Sequence, residues 1–186
     1  SYDMYKVRDN LRREFGLKIY KNKTYKKEFV DCLILLKDKP CIAAIFEYES
    51  FPEHVSVIVE LGTRVDVMSI PCNLLKRRMR QIITAIASVS NSQLHFADIT
   101  LNDFVDTNGG IRLMNIESTL HNVNNVSETT FAPAVHLLQE IVESNRAKLE
   151  PSLYRDLQKC INKASETDIS DAKDLISSEL FRDGFK

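Results

Sequence analysis

Hydrophobic and polar positions fall into short alternating runs in the first third of the chain and into helical stripes afterwards. Phe15–Tyr20, FGLKIY, predicts a short strand with Lys18 at its middle. Tyr2–Glu14 alternates at Tyr5 and Val7 but carries the run Arg12-Arg13-Glu14, and its periodicity leaves strand and helix open. In Thr24–Leu36 the residues Phe29, Cys32, Leu33, Leu35 and Leu36 form a stripe, so one amphipathic helix is expected. Cys41–Glu49 and His54–Leu61 predict two strands joined by the turn Ser50-Phe51-Pro52-Glu53.

Three signals meet in Gln81–Asn115. Ile82, Ile83, Ile86 and Val89 mark the buried face of a helix over Asn73–Val89, which Ser90-Asn91-Ser92 ends by competing for backbone hydrogen bonds. Phe96-Ala97-Asp98-Ile99 then sets a carboxylate among apolar neighbours. Phe104–Val105 and Ile111–Met114 read as two strands, joined through Asn108-Gly109-Gly110, where positive φ is easily supplied. Thr63–Pro71 is a short connection and Glu117–Glu128 a polar loop. Phe131–Val142, Glu150–Lys163 and Ser170–Phe181 predict three more helices.

At 186 residues with 44% apolar content, the chain is expected to form one α+β domain with a proper core. Its net charge is −1, from 25 basic and 26 acidic residues, which gives no overall field to attract nucleic acid or an anionic membrane. No apolar run approaches the roughly 20 residues of a spanning helix. Cys32, Cys41, Cys72 and Cys160 show neither a CxxC pair nor metal-ligand spacing; reduced, buried thiols in a cytoplasmic or nuclear protein are expected. The start Ser1-Tyr2, without methionine, suggests a piece of a larger protein. His54, His95, His121 and His136 lack the spacing of a metalloprotease, and no nucleophile elbow, P-loop or dinucleotide fingerprint is present.

The order strand with lysine, helix, two strands, helix, acidic loop and hairpin resembles the protein-kinase fold. There a long helix leads into His-Arg-Asp-Leu-Lys-x-x-Asn, and a hairpin leads on to Asp-Phe-Gly. The resemblance covers roughly residues 15–181 and implies a compact two-lobed domain, with a small mostly β lobe over about 1–62 and a larger helical lobe over about 63–186. It puts Lys18 at the phosphate-binding lysine and Asp31 or Glu28 at the regulatory-helix glutamate, with Lys39-Pro40 as the turn that follows. Val59 falls at the back of the nucleotide pocket, and Glu60-Leu61-Gly62 becomes the hinge. Asp98 matches the catalytic aspartate, Asp103 replaces the metal-binding asparagine, and Asn115 replaces the aspartate of Asp-Phe-Gly. An ungapped alignment would instead put Asn102 on that asparagine and Ala97 on the catalytic aspartate.

In this frame the chemistry is eroded. The seventeen residues before Lys18 contain one glycine, Gly16, so a G-x-G-x-x-G phosphate loop has no sequence to occupy. Asn115 offers a neutral carbonyl where a hard divalent cation needs a carboxylate. Asp98 is expected to cap backbone amides rather than act as a base. The resemblance therefore implies a pseudokinase that takes no metal or cofactor and works by binding another protein or an adjacent domain, an active kinase among them, as scaffold or allosteric regulator. Lys26, Lys27 and Asp31 on the first helix, and Lys76, Arg77, Arg78 and Arg80 on the long helix, are candidate contacts. The basic cluster sits at a helix N-terminus, where it opposes the dipole, so an acidic neighbour is expected. Two alternatives stand beside this: a weakly active or nucleotide-sensing relative using Lys18, Val59, Glu60, Asp98 and Asp103, and an unrelated α+β adaptor.

Overall fold

The computed structural model describes residues 2–21, 27–92, 94–96, 99–115, 120–122 and 132–165. In chain order these form β1 (Asp3–Arg8), β2 (Glu14–Lys21), α1 (Lys27–Leu36), β3 (Ile45–Ser50), β4 (His54–Val59), β5 (Thr63–Arg64), α2 (Cys72–Ser90), β6 (Leu94–Phe96), β7 (Phe104–Thr107), β8 (Gly110–Leu113), β9 (Leu120–Asn122), α3 (Ala132–Ser144) and α4 (Pro151–Ser165). Asn22–Lys26, Asp98 and the expected helix Ser170–Phe181 lie outside the described residues, as does the side chain of Asp31.

The segment whose periodicity was ambiguous is a strand. β1 pairs antiparallel with β2, placing Met4 opposite Lys18 and Lys6 opposite Gly16. The turn between them is built on Asp9, whose carboxylate accepts from the amides of Leu11 and Arg13 at 2.9 Å each. The small sheet runs β1-β2-β4-β3, antiparallel throughout. Alternation along β2 and β4 buries Gly16, Lys18 and Tyr20 beside Val59, Val57 and Val55 on one face.

The expected strand Cys41–Glu49 begins only at Ile45. Positive φ values of 64° at Asp38 and 57° at Cys41 bend the chain away before that point. Residues 41–44 reach instead to the other half of the molecule. The Ala43 amide donates to the Leu113 carbonyl at 2.8 Å, the Leu113 amide donates to the Cys41 carbonyl at 2.9 Å, and Ile42 forms a parallel bridge with Leu113.

Helix α2 is the axis of the larger half. Leu75, Met79, Ile82, Ile83, Ile86 and Val89 are at most 1% exposed, and each such side chain contributes about 1.5–3 kcal/mol by leaving water. The helix ends where the serines predict: the Ser90 and Ser92 hydroxyls donate back to the carbonyls of Ile86 and Ser88. From the same helix Ser88 donates to the Pro40 carbonyl at 3.0 Å, a second tie to the segment after α1. Helices α3 and α4 complete the core with Val135, Leu138, Ile141, Val142, Leu157 and Ile161.

Two short features escaped the pattern. The connection at Thr63–Pro71 holds β5, which pairs with β7, and a 3-10 turn capped by Asp66. The loop expected over Glu117–Glu128 contains β9, which pairs with β6. Strands of two or three residues have too few positions to display an alternation. No described helix is long and apolar enough to cross a membrane.

Candidate functional site

The alternation that makes β2 a strand also turns Lys18 inward, where it is 1% exposed. A buried ammonium needs acceptors. Its Nζ donates to the Met114 carbonyl at 2.9 Å and to Asn115 Oδ1 at 3.3 Å, and it lies 4.4 Å from the centre of the Tyr2 ring. Residues ninety-six and ninety-seven positions apart in sequence thus meet between the small sheet and the β7–β8 hairpin.

Asn115 is fixed on both sides of its amide. Its Oδ1 accepts from the Tyr2 hydroxyl at 2.5 Å as well as from Lys18, and its Nδ2 donates to the Asn102 carbonyl at 3.0 Å. Asp103 closes the turn beneath. Its Oδ2 accepts from the Thr100 amide at 2.8 Å and the Thr100 hydroxyl at 3.1 Å, forming a capping box. The Asp103 carbonyl accepts from the amides of Met114 and Asn115. Lys18, Asn115 and the turn holding Asp103 therefore form one connected cluster.

The remaining sequence candidates fall elsewhere. Val59 is buried in β4 opposite Gly16. The Glu60 side chain faces Arg112, with Oε2 at 3.3 Å from Nε, and accepts from the Ala44 amide at 3.2 Å. Gly62 is required by a close approach: a Cβ there would stand 2.7 Å from Val105 Cβ and 2.9 Å from the Asp106 carbonyl. In the basic cluster of α2, Arg77 is exposed and Lys76 and Arg80 are half-buried. Arg78 is engaged by Asp106 at 3.0 Å, the acidic neighbour that the helix dipole called for. Lys27 opens α1 as described, while Lys26 and Asp98 are not among the described residues.

All four cysteines are free thiols, but the expectation that they are buried holds only in part: Cys72 is exposed in the first turn of α2, and the other three are half-buried. Burial pushes the Cys41 thiol up, against the pull of Arg112 and Arg80, which keeps it protonated. Tyr2 is the site residue that sequence reasoning missed. A tyrosine just ahead of a strand carries no signal until the β1–β2 register sets it on the Lys18 face.

No protein-family model and no curated protein matches the sequence. Among solved structures the chain is similar to a divergent kinase lacking the glycine-rich loop, one that regulates membrane ultrastructure of the Toxoplasma parasitophorous vacuole. The match has a TM-score of 0.72 at 15% identity and covers 98% of this chain and 82% of that one. This chain has a protein-kinase-like fold. The strand before the Lys18 strand, β1, joins it through the Asp9-capped turn. Lys18 and Asn115, which the sequence resemblance put at the lysine and Asp-Phe-Gly positions, are brought within hydrogen-bond distance by this fold. A metal held between Asn115 and Asp103 would meet a neutral amide whose Oδ1 already accepts two donors and a carboxylate whose Oδ2 already accepts two more. That donor set does not fit a hard divalent cation.

Proposed function

We propose that this kinase-like domain does not transfer phosphate and instead acts through contact with another protein or an adjacent domain, as a scaffold or an allosteric regulator. One observation supports this reading above the others. The sequence resemblance puts Asn115 where phosphoryl transfer needs a charged carboxylate on the metal, and its amide is occupied by Tyr2, Lys18 and Asn102. Positioning two metal ions and a triphosphate is nearly all that such an enzyme does, so a site with an amide in place of the metal-binding carboxylate has little catalytic power left.

The surfaces proposed for partners are the start of α1, with Lys26 and Lys27, and the exposed side of α2 around Lys76 and Arg77. Arg80 borders that side, whereas Arg78 is engaged by Asp106. The proposed setting is cytoplasmic or nuclear, with an active kinase as one class of partner. The similar Toxoplasma protein is described as a regulator, of membrane ultrastructure; for this chain only the regulatory role is proposed, not the membrane.

A phosphoryl-transfer assay with magnesium ATP, run beside a thermal melt, tests the reading. Turnover at the level of a Lys18→Met variant and an unchanged melting temperature are expected. Turnover above that variant would remove the inactive reading. A melt raised by several degrees without turnover would favour a nucleotide sensor built on Lys18 and Asp103. Proximity labelling in the native host then tests the partner: capture should fall with Arg77→Glu and persist with Lys159→Glu on the far helix α4.

A further inference from the structure

The cleft between the small sheet and Asn115 holds a side chain that neither the kinase-like frame nor the proposed function requires. Tyr2 lies two residues before Met4, and the β1–β2 register therefore brings it over the same face as Lys18 and opposite Tyr20. Its ring packs on Tyr20 at 5.3 Å between centroids with a tilt of 50°. The same ring lies over the Lys18 ammonium at 4.4 Å, and the hydroxyl donates to Asn115 at 2.5 Å. Three different interactions thus converge on one phenol, and Lys18 beneath it is 1% exposed.

We propose that Tyr2 is an internal plug of this cleft: its ring and hydroxyl cover Lys18 and cap Asn115, so that a polyphosphate anion reaches the lysine only when Tyr2 leaves. The proposal deepens the inactive reading and rests on it only in treating the cleft as the remnant of a cofactor site. The plug is attached to a strand suited to opening. β1 lies at the edge of its sheet, and its side-chain anchors are exposed ion pairs: Lys21 with Asp3, and Lys6 and Arg8 with Glu14. An edge strand held this way opens more readily than the core strands behind it.

The direct readout is the chemical accessibility of Lys18. An amine-reactive ester is applied at neutral pH to the folded chain, and labelling at each lysine is measured by peptide mass spectrometry, with exposed Lys37 and Lys39 as references. In the wild type Lys18 should be protected, and in Tyr2→Ala its labelling should rise about a hundredfold, the combined size of a desolvated cation–π contact and a hydrogen bond. Tyr2→Phe keeps the ring and loses the hydroxyl, and should fall between the two. Inorganic triphosphate should raise the melting temperature of Tyr2→Ala and leave the wild type unchanged. Wild-type Lys18 labelled as readily as Lys37, or equal protection in all three chains when each melts cooperatively, would overturn the plug. Either result would leave the inactive reading standing, because that reading is decided by turnover and not by labelling.

Discussion

Where β7, β8, α2 and the hinge meet, arginines face carboxylates: Arg78 with Asp106 at 3.0 Å, Arg112 with Glu60 at 3.3 Å. In the cleft of the same molecule the cation Lys18 meets the Met114 carbonyl, the Asn115 amide and the Tyr2 ring. The two regions differ in their chemistry. Charged pairs persist where they brace the joint between the two halves of the fold. In the cleft, Asn115 offers the lysine a neutral amide oxygen that the Tyr2 hydroxyl also uses. A neutral amide oxygen accepts from an ammonium but poorly supports a divalent cation, so the contacts that fold the cleft need not be those that would hold a metal.

The comparison can be broken most severely at the hinge. Gly62→Ala drives a Cβ to 2.7 Å from Val105 and toward the Asp106 backbone, and should cost about 3 kcal/mol in urea unfolding, at the upper end of overpacking effects. Loss of less than a third of that would mean that the hinge yields, and that the joint is not the rigid side of the comparison.

Next in size are two cation deletions that sharpen the contrast. Arg112→Met strips Glu60 of its ion partner and frees the Ile42 carbonyl. Its Nε is misaligned for a hydrogen bond to Glu60, so the attraction lost is mainly Coulombic. With both groups partly solvated, a cost of about 2 kcal/mol is expected, below that of a fully buried pair. Lys18→Met removes the hydrogen bonds to the Met114 carbonyl and Asn115 together with the cost of burying an ammonium, and should change stability by no more than about 1 kcal/mol. Denaturation of the two variants side by side checks the order; a Lys18 variant that loses more than the Arg112 variant would reverse the comparison.

Much of this organisation was legible from the residues. The α2 stripe from Ile82 to Val89 is long and strictly periodic, and the turn at Asn108-Gly109 has chemistry of its own, so both were readable. Lys18 could be placed because its strand, the following helix and the next two strands come in order. What could not be read depends on register or on single contacts. β6 and β9 are too short to show a period. Residues 41–44 read as strand by composition, yet a left-handed Cys41 diverts them to β8. Tyr2 acquires a role only once β1 is aligned with β2, and Asp103 is recognisable as a cap only beside Thr100.

The smallest expected effect concerns the strand that carries Tyr2. Side-chain hydrogen bonds from Lys6 and then Arg8, opposed by desolvation, hold the Glu14 carboxyl below its ordinary range. A lowered folded-state value means that the stabilisation is present above the ordinary carboxylate pKa and is lost as pH falls through the lowered one. The melting temperature of the wild type should therefore exceed that of Glu14→Gln slightly at pH 7, and the gap should close below about pH 4. A gap that survives in acid would show that Glu14 acts through packing rather than charge.

The bonds between residues 41–43 and Leu113 also have a mechanical consequence. Two amide hydrogen bonds run in opposite directions between these segments, and Ser88 adds a third bond to Pro40, so the stretch after α1 is tied to β8 and α2 at once. Displacing that stretch would therefore strain β8 and α2 together rather than either one alone.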